Sequence, residues 1–302
     1  MRIGLKHNAL RVFGHQHYIL HGRDWVIRML YPPEKSQSIP FEVPFFGMRY
    51  PGNLNSLLDW SVFFYGAYCR NELYILRDVA AVLRKEQSRP FSFYDVGANI
   101  GHHSLFMAPR VDRVFAFEPF ETVRAKIHEK IERNRLTNVT VFPVGFGDAD
   151  AELDFFEPKG ANGGAGTFMA GPGAPSRNVR KLSVRRGDDF CEGRGLPPLD
   201  LMKMDVEGFE IRVLRGLKER IRQDRPVILM EVSDQTRAEM KSEDEFRKCL
   251  YENARVFEVG CVSISSSYRL KSFRFSTSGE ILVVPEEKLP TLEGIIPAAR
   301  RF

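Results

Sequence analysis

One stretch constrains this chain more than any other: Phe91-Ser92-Phe93-Tyr94-Asp95-Val96-Gly97-Ala98-Asn99-Ile100-Gly101. Apolar residues lead into an acid, and glycines then open a turn ahead of a second run from His102 to Ala108. That order predicts a buried strand, a tight turn and a helix start. Gly97 and Gly101 remove the Cβ where the turn comes close to a ligand. The helix that follows presents N–H groups with no partner inside the helix. Glycine-rich turns between strand and helix are common, so the spacing carries the information. It reads D-x-G-x-x-x-G, not the G-x-G-x-x-G of a dinucleotide-binding turn.

A second mark follows in Arg113-Val114-Phe115-Ala116-Phe117-Glu118-Pro119, another apolar run ending in an acid. An acid about 20 residues beyond a glycine turn is placed to accept both hydroxyls of a ribose. Alternatively, Glu118 only caps the helix that begins near Glu121. An acid at the turn's mouth repels a pyrophosphate but tolerates a ligand with an ammonium and a sulfonium. S-adenosylmethionine fits that description better than a dinucleotide. Further strands are predicted at Val139–Val144, Leu199–Met204, Val227–Val232, Val256–Val259 and Ile281–Val284. Helices are predicted over Ser56–Tyr68, Glu72–Glu86, Glu121–Arg133 and from about Gln235 to Asn253. Such alternation belongs to a mainly parallel sheet covered on both faces. Asp95, Glu118, Asp148, Asp205 and Glu231 then fall at strand ends along one rim, where ligands bind in open α/β sheets.

DVGANIG (Asp95 to Gly101), AFEP (Ala116 to Pro119) and KMDVEG (Lys203 to Gly208) together resemble the FkbM family of S-adenosylmethionine-dependent methyltransferases. The resemblance runs from about Gly66 to Gly260. It implies an α/β fold of the class I methyltransferase (Rossmann-like) type, with a mainly parallel seven-stranded sheet and helices on both faces. It also implies methyl transfer to a hydroxyl oxygen of a sugar, glycan or natural-product acceptor. Carried onto this chain, the cofactor-binding set is Asp95, Gly97, Ala98, Asn99, Gly101, Glu118 and Pro119. Gly147 and Asp148 complete it, with Asp148 as acceptor for an adenine amino group or as a turn-stabilising residue.

A hydroxyl is a poor nucleophile until a base or a metal helps remove its proton. Asp205, Glu207, Glu231 and His102 are the candidate catalytic residues, with His103 next. Lys203 pairs with an acid, orients the acceptor or points outward from its strand. Carboxylates packed together repel, so either one carries a raised pKa or a cation such as Mg²⁺ neutralises them; no metal ligands are assigned. An RNA or protein methyltransferase and a catalytically silent cofactor-binding relative are the competing readings. No RNA-binding module is evident, so nucleic acid is not expected as a partner.

Residues 1–60 lie outside the resemblance and are read as a β-rich accessory segment, serving the acceptor pocket or a dimer contact. Residues 61–302 form the expected catalytic domain. Short strands are predicted at Tyr18–Leu20, Trp25–Ile27 and Phe41–Val43, and the histidines clustered here match no standard zinc spacing. The glycine-rich tract at 160–175 lacks the G-K-[ST] ending of a phosphate loop and reads as a loop over the site. Cys69, Cys191, Cys249 and Cys261 form no C-x-x-C pair. With no signal-peptide pattern and no apolar run of ~20 residues, a cytoplasmic location is expected. A homo-oligomer is left open. The net charge of +5 is read as a solvated surface.

Overall fold

The computed structural model describes residues 3–16, 22–156, 179–240, 242–262, 267–276 and 278–296. The glycine-rich tract at 160–175 and the strand expected at Tyr18–Leu20 lie outside these residues. The chain opens with helices α1 (Leu5–Gly14) and α2 (Arg23–Leu30), then the hairpin β1 (Pro40–Phe45) and β2 (Met48–Asn53). Helices α3 (Leu57–Tyr65) and α4 (Arg70–Leu83) lead into β3 (Ser92–Val96), α5 (His102–Met107), β4 (Arg113–Phe117), α6 (Glu121–Asn134) and β5 (Val139–Phe142). A three-stranded side sheet holds β6 (Gly145–Gly147), β7 (Ala151–Phe156) and β8 (Val179–Arg186), and α7 (Gly187–Gly193) follows. The second half comprises β9 (Leu201–Met204), α8 (Glu210–Gly216), α9 (Lys218–Asp224), β10 (Val227–Val232), α10 (Asp234–Glu239) and α11 (Glu243–Lys248). Strands β11 (Ala254–Val262), β12 (Ser267–Ser272) and β13 (Gly279–Pro285) close the chain.

The eight strands of the main sheet run in the order β12-β11-β13-β10-β9-β3-β4-β5. Pairing is parallel from β10 through β9 and β3 to β5, and β13 inserts antiparallel between β10 and β11. The expected sheet is therefore present with one further antiparallel strand, β12, on its edge. The order reverses between β3 and β9, and both strands end at the rim where the marks of the sequence meet.

Side chains alternate between faces along a strand. Phe91, Phe93, Leu201, Val227, Leu229, Leu282 and Val284 pack into one core with α3, α4, α5 and the hairpin. Tyr94, Val96, Met202, Met204, Ile228, Met230, Ile281 and Val283 pack into the core on the other face, with α8. Asp95, Lys203, Glu231 and Glu280 continue the first alternation, so they point toward α4 and α5.

The segment before residue 60 departs from expectation. Trp25-Val26-Ile27 reads as a strand because three apolar residues are contiguous, yet it lies within α2. A helical period turns Ile27 into the core while Trp25 and Met29 face out, and an Asp24–Arg28 pair of 2.9 Å spans one turn. The helix expected from Gln235 to Asn253 is two helices, each started by a serine side chain: Ser233 accepts from Thr236 N and Ser242 from Glu245 N.

The close seat of α8 on β6 yields a test. A Cβ on Gly216 would lie 1.8 Å from the Gly147 carbonyl oxygen, so Gly216→Ala should destabilise the chain by about 1–3 kcal/mol through overpacking. Thermal denaturation checks this, and an unchanged midpoint would contradict that packing.

Candidate active site

At the end of β3, Asp95 is fully buried and its Oδ2 accepts a 2.6 Å hydrogen bond from Ser104 Oγ. The turn beyond it holds Gly97, Asn99 and Gly101 at φ of +76°, +51° and +78°. A Cβ on Gly97 would stand 2.0 Å from the Asp205 carbonyl oxygen, and one on Gly101 3.0 Å from Ile127. The glycines thus permit chain to pack on chain, whereas the sequence reading reserved that space for a ligand.

Glu118, at the end of β4, joins both readings made of it. One carboxylate oxygen accepts from Asn99 N in the glycine turn and the other from Phe120 N at the start of α6, each at 2.9 Å. Burial raises its pKa to about 7 even though these two N–H groups and Arg124 favour the anion. Arg124 in turn donates to the Glu118 and Pro119 carbonyls at 3.1 and 2.9 Å, fixing the backbone beneath.

A cavity opens beside this carboxylate. Gly97, Asn99, Glu118 and Pro119 line one side, and Asp205, Val206 and Glu207 the other. Phe117, Phe120, Phe146, Phe155 and Phe209 supply apolar walls. Three acids line it, Glu118, Asp205 and Glu207, and no lysine, arginine or histidine does among the described residues.

The remaining expected cofactor residues fall elsewhere. Ala98 packs with Ala116 and Ile127 behind the turn, and Gly101 abuts Ile127 there. Gly147 is buried where β6 meets Val184 and Phe209. Asp148 is exposed and outside the cavity lining. His102 is also outside it: its Nε2 lies 3.0 Å from the Tyr68 carbonyl oxygen and its ring sits among Phe45, Tyr50 and His103. Burial and the neighbouring His103 hold His102 well below the usual imidazole range.

The ends of β9, β10 and β13 form a charged group against α4 and α5. Lys203 is 3% exposed and its ammonium donates to Asp205 Oδ2 at 2.9 Å. Burial alone would raise Asp205, but the Lys203 charge outweighs it and keeps the carboxylate low. Glu207, at φ +53°, is pushed up to about 7 by burial and then by Asp205, Glu231 and Glu210. Glu231 is raised to about 7 by burial and then by Asp205 and Glu210. Glu280 stands opposite Glu231 in the antiparallel register, and burial followed by Glu72 drives it well above the carboxylate range. Glu72 on α4 faces His103 Nε2 at 3.1 Å.

Sequence reasoning assigned no role to Glu72, Glu210 or Glu280. Glu210 Oε1 accepts from Val206 N at 3.1 Å and Gly208 N at 3.2 Å, and its Oε2 accepts from Thr236 Oγ1 at 2.7 Å, so it fixes the turn that carries Glu207. An acid in the first turn of a helix was the available signal. Nothing local marks Glu280 or Glu72, which come to the rim only through sheet order and helix packing.

The donor set does not fit a divalent ion. Among the described residues no group of three His, Cys, Asp or Glu side chains is arranged to hold one, and Asp205 is committed to Lys203.

A family model described as the methyltransferase FkbM domain matches residues 95–258. The hexuronic acid methyltransferase AglP of Haloferax volcanii is 32% identical over 144 residues, covering 47% of this chain and 56% of that protein. The 2-O-methyltransferase NoeI of Sinorhizobium fredii is 28% identical over 55% of this chain and 71% of its own length. The 31-O-demethyl-FK506 methyltransferase FkbM of Streptomyces tacrolimicus is 31% identical, over 47% of this chain and 65% of its own. The chain thus spans little more than half the length of the first of these relatives. A solved structure, a methyltransferase FkbM from Methylobacillus flagellatus, aligns over 75% of this chain and 66% of its own, with 15% identity and a TM-score of 0.43.

The site's electrostatics give two tests. Because each Glu118 oxygen holds a backbone N–H, Glu118→Gln turns one acceptor into a donor against a buried donor. Stability should fall by about 1–3 kcal/mol, measurable by denaturant titration; an unchanged midpoint would contradict the bridge. Glu207 has a folded pKa of about 7 against an ordinary 4.5, so the folded state binds the proton more tightly and loses stability as pH rises through that window. The melting temperature of Glu207→Gln should therefore gain on that of the parent from about pH 5 upward, levelling off above about pH 7. A constant difference across the window would show that Glu207 titrates normally.

Proposed function

The chain belongs to the methyltransferase FkbM domain family, and on that premise we propose that it moves a methyl group from S-adenosylmethionine to a hydroxyl oxygen of a sugar, glycan or natural-product acceptor. One observation carries the choice of donor: the cavity beside the glycine turn is lined by Glu118, Asp205 and Glu207 and by no basic side chain among the described residues. That lining suits a ligand bearing an ammonium and a sulfonium and opposes a pyrophosphate. Bound S-adenosylmethionine supplies a methyl group activated by its sulfonium. Glu118 accepts the ribose hydroxyls with lone pairs left over from Asn99 N and Phe120 N. Phe117, Phe146 and Phe209 offer apolar walls for an adenine. Support for an oxygen acceptor comes from the relatives: the names of NoeI and the FK506 enzyme place the methyl on an oxygen, and AglP acts on a hexuronic acid.

Methyl transfer needs donor and acceptor in line and a group to take the hydroxyl proton. Asp205, held ionised by Lys203, orients; it is a weak base because that ion pair stabilises its charged form. Glu231 is the better proton acceptor, since a carboxyl with a pKa of about 7 is a stronger base than an ordinary carboxylate and is still half ionised at neutral pH. Burial, followed by the charges of Asp205 and Glu210, keeps it there. Both Glu231 and His102 lie outside the cavity lining; His102 is given no part because its buried ring is held low in pKa and its Nε2 is engaged at the Tyr68 carbonyl. Residues 40–65, whose hairpin and helix pack against α5 and α6, are assigned to the scaffold on the acceptor side.

Calorimetric titration should show binding of S-adenosylmethionine and of S-adenosylhomocysteine and none of NAD. Binding of NAD alone would sink the donor assignment. In transfer assays with a labelled methyl group, the parent rate should rise through about pH 7 as Glu231 ionises. Glu231→Gln should lose on the order of a hundredfold in rate and that pH dependence, with donor affinity unchanged. Retained rate with the same pH profile would remove Glu231 as the base.

A further inference from the structure

Five of the six large apolar side chains exposed among the described residues lie on α1 and α2: Leu5 at 88%, Val12 at 64%, Trp25 at 65%, Met29 at 55% and Leu30 at 43%. Both helices already bury an apolar side. Leu10, Gly14 and Ile27 enter the core with Trp60, Phe63 and Phe64, and a Cβ on Gly14 would meet the Phe64 carbonyl oxygen at 2.1 Å. The pair is therefore seated on α3 by one side while a second apolar side faces out. Leu5 and Val12 are seven residues apart on α1, and Trp25 and Met29 four apart on α2, so each pair shares one helical face.

Charge distinguishes the stretch that carries these helices from the rest of the chain, with the guanidinium groups of Arg11, Arg23 and Arg28 lying along the α3 border over Phe63, Tyr65 and Trp60. Residues 1–35 carry Arg2, Lys6, Arg11, Arg23, Arg28 and Lys35 against Asp24 and Glu34, a net +4 out of +5 for the whole sequence. Lys6 is exposed beside Leu5. Arg28 lies between Trp25 and Met29, and its side chain remains 46% exposed while paired with Asp24. Short helices with outward tryptophan and aliphatic groups among basic residues lie in the plane of a membrane interface, held by apolar burial and by attraction to anionic lipid. At 10 and 8 residues these helices do not cross a bilayer.

We propose that the outer face of α1 and α2 docks the protein on an anionic lipid surface, with Trp25, Met29, Leu5 and Val12 entering the interface and Lys6 and the exposed part of Arg28 meeting the head groups. The chemistry fits a bilayer better than a second copy of this chain, because a two-fold contact would bring the same net positive charge against itself.

Vesicles of phosphatidylcholine mixed equally with phosphatidylglycerol, and vesicles of phosphatidylcholine alone, test this with the full chain. Of its two tryptophans, Trp60 is fully buried, so a blue shift of emission on adding vesicles reports Trp25. Co-sedimentation should show binding to the anionic vesicles at least about tenfold tighter than to the neutral ones, weakening with salt. Trp25→Gln and Lys6→Glu should each lose about tenfold or more while keeping the parent melting temperature. Absence of binding to anionic vesicles overturns the proposal, as does equal binding by both variants. A dimer in vesicle-free solution that Trp25→Gln dissociates, with no vesicle binding, would assign the face to self-association instead.

Discussion

The rim depends on one buried ammonium. Lys203 lies on the same sheet face as Asp95, Glu231 and Glu280, and Glu72 reaches toward it from α4. Its positive charge is held above the usual lysine range because Asp205, Asp95 and Glu72 more than offset the burial that opposes it. Replacing the ammonium by an apolar group would leave several carboxylates buried against one another. The Asp205 side chain keeps 39% of its surface in solvent, so the cost falls below the about 3–5 kcal/mol of a fully buried pair. The cation also keeps Asp205 ionised beside the cavity, so the same contact maintains the fold at the switch between β3 and β9 and sets the charge that a donor meets.

Much of this was legible in the sequence because it is local. The strands ending at Asp95, Glu118 and Glu231 are short apolar runs with an acid at the end, and each appears where its run predicts. The glycine turn reads correctly as a turn. Its physical reason does not, because the nearest atoms to the missing Cβ groups belong to Asp205 and Ile127, which are distant in sequence. The same limit applies to Lys203. A lysine in an otherwise apolar strand reads as readily outward as inward, and only the acids gathered from β3, α4 and β13 decide it. Asp148 shows the converse: a strand-end acid in a favourable turn, yet left at the surface because β6 leaves the main sheet to pair with β8.

The first sixty residues were least legible for a related reason. Contiguous apolar residues such as Trp25-Val26-Ile27 satisfy a strand pattern and a helix pattern alike, and length is the usual arbiter. Here a helix of eight residues carries apolar groups on two sides, so neither period stands out. The strand expected at Phe41–Val43 was easier, since it falls within β1, where Phe41, Val43 and Phe45 alternate in burial; its partner β2 was not anticipated.

The acids whose pKa values burial raises bear on how donor binding and catalysis are linked in the proposed reading. Glu118, Glu207 and Glu231 each have a pKa of about 7, so at neutral pH the rim holds protons that an ordinary carboxylate would have released. A cationic ligand in the cavity favours the ionised form of every carboxylate near it. On the proposed assignment of the base, binding such a ligand releases protons and draws Glu231 toward the charge state in which it can accept one from a hydroxyl. The demethylated product keeps its ammonium but has lost the sulfonium, so its pull is weaker and the carboxylates regain protons as the sulfonium is discharged. On that assignment, the raised pKa values, destabilising to the folded chain above pH 7, tie the readiness of Glu231 to the presence of the donor.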